Sequence, residues 1–254
     1  MAQAAMTLHK GGREVSLEEL TAVPCPEPSG IWRPVPHSTV LKYAKQALQG
    51  AGYEIEKMRV GLSSDDQRFW GTMVLQNRVV QGVSLAVAIA SSLDKSLSLR
   101  WGYGHNVWIC DNGAWSTQKT IARKHTTHAV DRYLEAIQRC VGELEQYREV
   151  ESERINRMIT RECTDYMAES FLLRCYQDEG ILSPRNLPVA LKEWREPSFH
   201  DFDQKNVWRL FNACTFALQP RRSNPQAHAS ATIRLGHLLA DEAPTASVVG
   251  STDS

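Results

Sequence analysis

Between Asp94 and His125 the chain carries Lys95, Arg100, Lys119, Arg123 and Lys124, opposed only by Asp94 and Asp111, with Trp101, Tyr103, Trp108 and Trp115 interleaved. Cations neutralise phosphates and release counterions, and aromatic faces stack bases whatever their sequence. Together these residue types suit a single-strand nucleic-acid platform. Arg100, Lys119, Arg123, Lys124 and His125 are expected to hold phosphates, and Trp108 and Trp115 to stack bases. Trp101 and Tyr103 continue the alternation of Leu97 and Leu99, which assigns them to a core face. Trp108 alternates with Val107 and Ile109, and Trp115 falls in polar sequence, so these two are expected outside the core.

The same stretch offers other chemistries. Cys110, Asn112 and His125 are the residue types of a Cys-His-Asn hydrolase. The plainer alternative makes Cys110 the end of a buried strand and Asn112-Gly113 a tight turn, since both turn residues tolerate positive φ. No helix N-terminus is evident to activate the thiol, so binding is expected rather than catalysis. His125 and His128 stand three apart, with His105, Cys110 and Asp111 near in sequence. Zinc needs four convergent ligands, and no tight CxxC or HxxxH spacing supplies them. No metal and no cofactor are therefore expected, and the two histidines are assigned to helix capping or phosphate contact. Asp94 and Ser96 frame a turn in which Asp94 accepts backbone N–H groups or orders a neighbouring basic residue. The absence of a P-loop or a GxGxxG element disfavours nucleotide hydrolysis.

The elements that must position these residues follow from proline and periodicity. Prolines cluster at 24, 26, 28, 34 and 36 and do not recur until Pro184, so regular structure is expected between. Residues 1–30 read as a flexible N-terminal arm, residues 31–240 as a single α+β domain and residues 241–254 as a disordered tail. A first helix is predicted from Ser38, with Val40, Leu41, Ala44, Ala47 and Leu48 on one face, ending at Gly50 and Gly52. Strands are predicted at 53–62, 69–76, 83–92, 96–103 and 106–110, the last two separated by a Gly-His-Asn turn. The third has a branched face and a small-residue face (Ser84, Ala86, Ala88, Ala90) fit to lie under a helix. Short turns between strands argue for an antiparallel meander.

After Thr126 the period becomes helical. One stripe runs Val130, Leu134, Ile137, Val141 and Leu144; another runs Ile155, Ile159, Cys163, Tyr166, Ser170 and Leu173. Two long helices, or one bent helix, should cover the sheet. A shorter helix is expected near Leu187–Trp194 and a last one from Asp203 to Leu218, its apolar side carrying Val207, Leu210, Phe211 and Cys214. The charged run from 143 to 162 reads as a solvated helix face. The fold class is thus α+β, an antiparallel meander of about five strands flanked by an N-terminal helix and several C-terminal helices.

Composition agrees with an ordinary globular protein: 254 residues, 42% hydrophobic, 23% charged and formal net charge zero. Neutrality excludes a histone-like polycation while allowing a local basic patch. The six cysteines form no CxxC pair and several fall at apolar helix positions, the usage of reduced thiols. With no charged-then-apolar leader and no run of transmembrane length, a cytoplasmic protein without membrane contact is expected.

One resemblance emerges from the motifs. Ser92-x-Asp94-x-Ser96, Gly104, Val107-x-x-Cys110-x-Asn112-Gly113 and His125 occur in order, with Pro36-His37 before them. Arg123-Lys124-His125-Thr126 and a late Trp208, Leu210, Asn212, Ala213, Thr215 element complete the pattern. Over roughly residues 31–220 this resembles a phage/plasmid-like protein family of unknown function. Members often carry Asn-Ser-His-Asp where this chain has Ser91-Ser92-Leu93-Asp94. The resemblance implies a mobile-element setting and supplies no reaction. The expected function is nucleic-acid binding, most of all binding or annealing of single-stranded DNA in replication or recombination, with self-association through edge strands. The alternatives are a protein-interaction module, acting as an anti-defence or host-takeover factor, and a Cys110-dependent hydrolase.

Overall fold

Alternation along residues 83–92 decides the centre of the fold. Val83, Leu85, Val87 and Ile89 fill one face of a strand, while Ala86, Ala88 and Ala90 leave the other nearly smooth. A computed structural model of the chain describes residues 11–107, 112–115, 121–123, 125–126, 128–219 and 224–241. In it this strand lies within an antiparallel sheet of β1 (Arg13–Glu14), β2 (Ile55–Leu62), β3 (Arg68–Val80), β4 (Val83–Ser92), β5 (Leu99–Val107), β6 (Asn112–Trp115) and β7 (Ile121–Arg123). Neighbours follow sequence order from β1 to β6, and β7 pairs with β5. Strands β2 to β6 form an antiparallel meander of five strands, as the fold class expects, though not the five predicted segments, with β1 added at one edge and β7 beside β6 at the other.

Helices α1 (Leu17–Ala22) and α2 (His37–Gly50) precede β2. Helices α3 (Ala129–Gly142), α4 (Leu144–Thr160), α5 (Asp165–Gln177), α6 (Asn186–Arg195), α7 (Val207–Ala217) and α8 (Pro225–Asp241) follow β7. The fold is α+β. The branched face of β4 joins Leu99, Trp101 and Tyr103 of β5 in the main core, where residues of the flanking helices close over them. Trp101 is fully buried, as its alternation predicts. On the same face Gly71 stands opposite Ile89, and a Cβ there would come within 3.0 Å of Ile89 Cγ1 and Phe69 Cζ. The smooth face, with Trp70, packs against Ala229 and Ile233 of α8.

Several expectations are corrected. Residues 13–22 belong to the fold rather than to an arm: Arg13 and Glu14 pair with Leu62 and Gly61, and Leu20 is 1% exposed. A Ser16–Glu19 capping box starts α1, with Ser16 Oγ accepting from Glu19 N at 3.1 Å and Glu19 Oε2 accepting from Ser16 N at 2.8 Å. The predicted turn at Gly104-His105-Asn106 is uninterrupted strand, because β4 pairs along its whole length with β5 and draws His105 opposite Leu85 into the interior. Asn112 and Gly113 open β6, paired with Val107 and Asn106, instead of forming the turn. The helical region breaks at Gly142–Glu143 and again at 161–164, where Thr164 caps α5 through Met167 N. That second break resets the helical phase. Tyr166 and Leu173 consequently face solvent, and Ala168, Phe171, Leu172 and Cys175 are buried in their place.

Helix α2 begins at His37 with Ser38 already inside, and α7 begins after Asn206, whose side chain accepts from Arg209 N. Helix α8 has no counterpart among the predicted elements. Residue 241 ends α8, and residues 242–254 lie outside the described residues. Among the described residues no helix is long and apolar enough to cross a membrane.

Candidate nucleic-acid interface

Strand β5 carries a different partner at each end of its outer edge. Gly104 to Val107 pair with β6, setting Trp115 opposite Gly104, and Leu99 to Trp101 pair with β7, setting Arg123 opposite Leu99 and Ala122 opposite Arg100. Arg100 lies on the smooth side of the sheet, beside Ala90 of β4. It is only partly buried, its Nε is enclosed without a hydrogen-bond partner, and it makes no ion pair among the described residues. Most other arginines of the sheet are engaged: Arg59 with Glu14, Arg68 with Asp94 and Arg78 with Glu56. A guanidinium held on a strand without a carboxylate is free to take an anion.

A second cation stands at the same end of the sheet. The Lys95 ammonium lies 4.7 Å from the centroid of the Trp32 ring, a cation–π contact. Trp32 bridges to Thr126, just beyond β7, and the next residue, Arg33, donates its backbone N–H to His125 O at 3.0 Å. Trp32 was missed in the sequence because it sits in a Pro-rich stretch with no periodicity. Its coupling to Thr126 has no local signal.

The signature motifs converge here too. Asp94 Oδ1 accepts from Ser96 N at 2.9 Å, and Arg68 Nε reaches both Asp94 Oδ2 and Ser96 Oγ at 3.0 Å. Asp94 therefore fills both expected roles, bracing the turn and ordering an arginine. Lys95, at φ 67°, sits at the bend of that turn. Burial raises the Asp94 carboxyl, but hydrogen bonds from Ser96, Ser92 and Arg68 outweigh it and hold the group at about 2.

His37 stacks on Phe69 with centroids 5.5 Å apart, and its Nε2 lies 3.2 Å from Asp66 O. A carbonyl can only accept, so Nε2 carries the proton. Burial, with the nearby His125, pushes His37 down to about 4. His125 is the corrected site residue. It is 4% exposed, with Nε2 at 3.4 Å from Ser91 Oγ, and burial lowers its pKa. An enclosed imidazole kept neutral cannot hold a surface phosphate; it packs the join between β4 and the segment before α3.

Trp108, Cys110, Lys119 and Lys124 lie outside the described residues, as do the side chains of Asn112, Trp115 and Arg123. The hydrolase arrangement thus has only its His125 in view, facing Ser91. His128 is exposed while His125 is buried, and no group of three metal-ligating side chains occurs among the described residues.

One polar cluster carried no sequence signal. Glu151 of α4 is buried, with Oε1 at 2.8 Å from His105 Nδ1 and both oxygens accepting from Arg154. Burial works against the Glu151 charge, but His105 and Arg154 outweigh it and hold the group at about 2. Behind His105 lie Trp208 and Phe211 of α7, stacked at 5.4 Å. Glu151 and Arg154 looked like part of a solvated charge run because their partner comes from a strand far away in sequence.

A model of the domain of unknown function DUF932 matches residues 28–235. The chain belongs to that family. The match spans α2 to most of α8 and contains Trp32, Asp94, Arg100 and the Glu151 cluster, whereas β1 and α1 lie before it. No curated protein and no solved structure matches the chain. The DUF932 assignment brings no reaction or ligand with it, so the chemistry rests on the sheet end itself.

Proposed function

We propose that the chain binds nucleic acid, single-stranded DNA foremost, at the end of the sheet formed by β5, β7 and the Ser92–Ser96 turn. The observation that carries the reading is Arg100, a partly exposed guanidinium without an ion pair among the described residues. Lys95 over Trp32 adds a cation and an aromatic ring beside it, and the backbone register brings Arg123 to the next position along the same end. Cations spaced along a strand edge suit a phosphate backbone, and an aromatic ring beside them suits stacking. Trp108, Trp115, Lys119 and Lys124 extend the proposed contact; His125 no longer belongs to it. The setting is a phage or plasmid element, with a role in replication or recombination. Self-association would have to use sheet edges only two, four and three residues long.

The reading predicts steep salt dependence. Single-strand affinity should fall with a log–log slope near 0.7 per phosphate neutralised. The Arg123→Ala, Lys124→Ala double variant should flatten that slope. Tight binding indifferent to salt and to this variant would remove the proposal.

A further inference from the structure

A cavity of about 350 Å³ lies away from this interface, between β5, α4 and α8. Its lining is mainly apolar and holds a few polar groups. Tyr103 is 5% exposed, its ring 4.6 Å from that of Tyr147, and its hydroxyl makes no hydrogen bond among the described residues. Both Glu151 oxygens are engaged: each accepts from Arg154 and Oε1 also faces His105. Arg154 is only partly engaged. Its Nε and Nη2 go to Glu151, while Nη1 has no partner among the described residues. A carboxylate that uses two guanidinium nitrogens and leaves the third holds the arginine in one orientation.

Gly236 of α8 is what lets the helix close over this group. A Cβ there would collide with Arg154 Nη1, so no other residue allows the same approach without moving the guanidinium. His237 and Ala240 continue the wall toward the rim. Two donors of this lining have no partner among the described residues: Arg154 Nη1 and the Tyr103 hydroxyl. The remaining lining is the two tyrosine rings, Val150 and Ile233, with Gln146 and with Glu143, a carboxylate that has a partner of its own. The volume falls in the range of small-molecule pockets, about 300–1,000 Å³.

We propose that this cavity binds a small organic anion, a flat apolar body bearing one carboxylate or phosphate, with the anionic group on Arg154 and Tyr103 and the body against the tyrosine rings. The site is separate from the proposed nucleic-acid interface and does not depend on it.

Calorimetric titration of the full chain with benzoate, phenyl phosphate and the neutral benzyl alcohol tests it. One or both anions should bind with one-to-one stoichiometry and benzyl alcohol at least about tenfold more weakly. Which anion binds separates carboxylate from phosphate. Tyr103→Phe, and Ala240→Trp at the exposed rim, should each weaken binding about tenfold, and Arg100→Ala should leave it unchanged. Circular dichroism of each variant separates lost binding from lost folding. Absence of binding by either anion, equal binding of benzyl alcohol, or affinity unmoved by both Tyr103→Phe and Ala240→Trp overturns the proposal.

Discussion

Arg100, Asp94 and His37 each give the sheet end a measurable property. In the proposed interface Arg100 supplies one phosphate contact. Arg100→Ala should cost about tenfold in single-strand affinity and lower the salt slope by about 0.7, with little loss of stability. His125→Ala should do the reverse, lowering the unfolding midpoint while folded protein keeps its affinity. Asp94 is held at about 2 against an ordinary 3.8, so the unfolded chain takes up its proton first. Its stabilising contribution is complete above 3.8 and is lost as pH falls toward 2. Buried His37 is also lowered, to about 4 from 6.5, so stability is lost as pH falls through that window. Urea titrations at about pH 7 and about pH 4.5 should show that loss in the wild type, and His37→Gln should shrink it. The turn at Asp94 was readable from sequence because Ser92 and Ser96 lie two residues away; its pairing with Arg68 was not. Trp101 and Tyr103 were readable because strand alternation is local. The burial of His125 was not, because Ser91 and Arg33 meet it only through the fold.

Among the elements, the meander was readable and the helix phases were not. Period-two patterns survive folding because each residue of a strand faces one side or the other. Splitting β5 in two came from giving Gly104 its turn preference, where long pairing with β4 overrides it. The apolar stripe drawn through Tyr166 and Leu173 failed because a break at 161–164 shifts everything after it. Helix α1 had a local signal, the Ser16-x-x-Glu19 capping box, masked by the prolines that follow. It makes a sharp prediction. Leu20→Ala should destabilise the chain by about 2–5 kcal/mol, and Ser16→Ala by about 1 kcal/mol, both measured by denaturant unfolding. Effects near zero for Leu20 would return residues 13–22 to the status of an arm. Gly71→Ala should cost about 1–3 kcal/mol by crowding Ile89 and Phe69.

At the scale of the whole molecule, one sheet separates two kinds of chemistry. Its branched face builds the core and ends in the buried His105, Glu151 and Arg154 cluster; its smooth face carries Arg100 at one end and accepts α8. The DUF932 match spans both. Net charge of zero conceals a local grouping such as Lys95 and Arg100 at one end of the sheet. The most direct test is fluorescence anisotropy of a labelled single-stranded oligonucleotide with wild type and Arg100→Ala, at low and at physiological salt. The proposed interface predicts wild-type binding that weakens steeply with salt, and about tenfold weaker binding with a shallower salt dependence for the variant. Equal affinity of the two proteins at low salt, or no binding by the wild type, would contradict it.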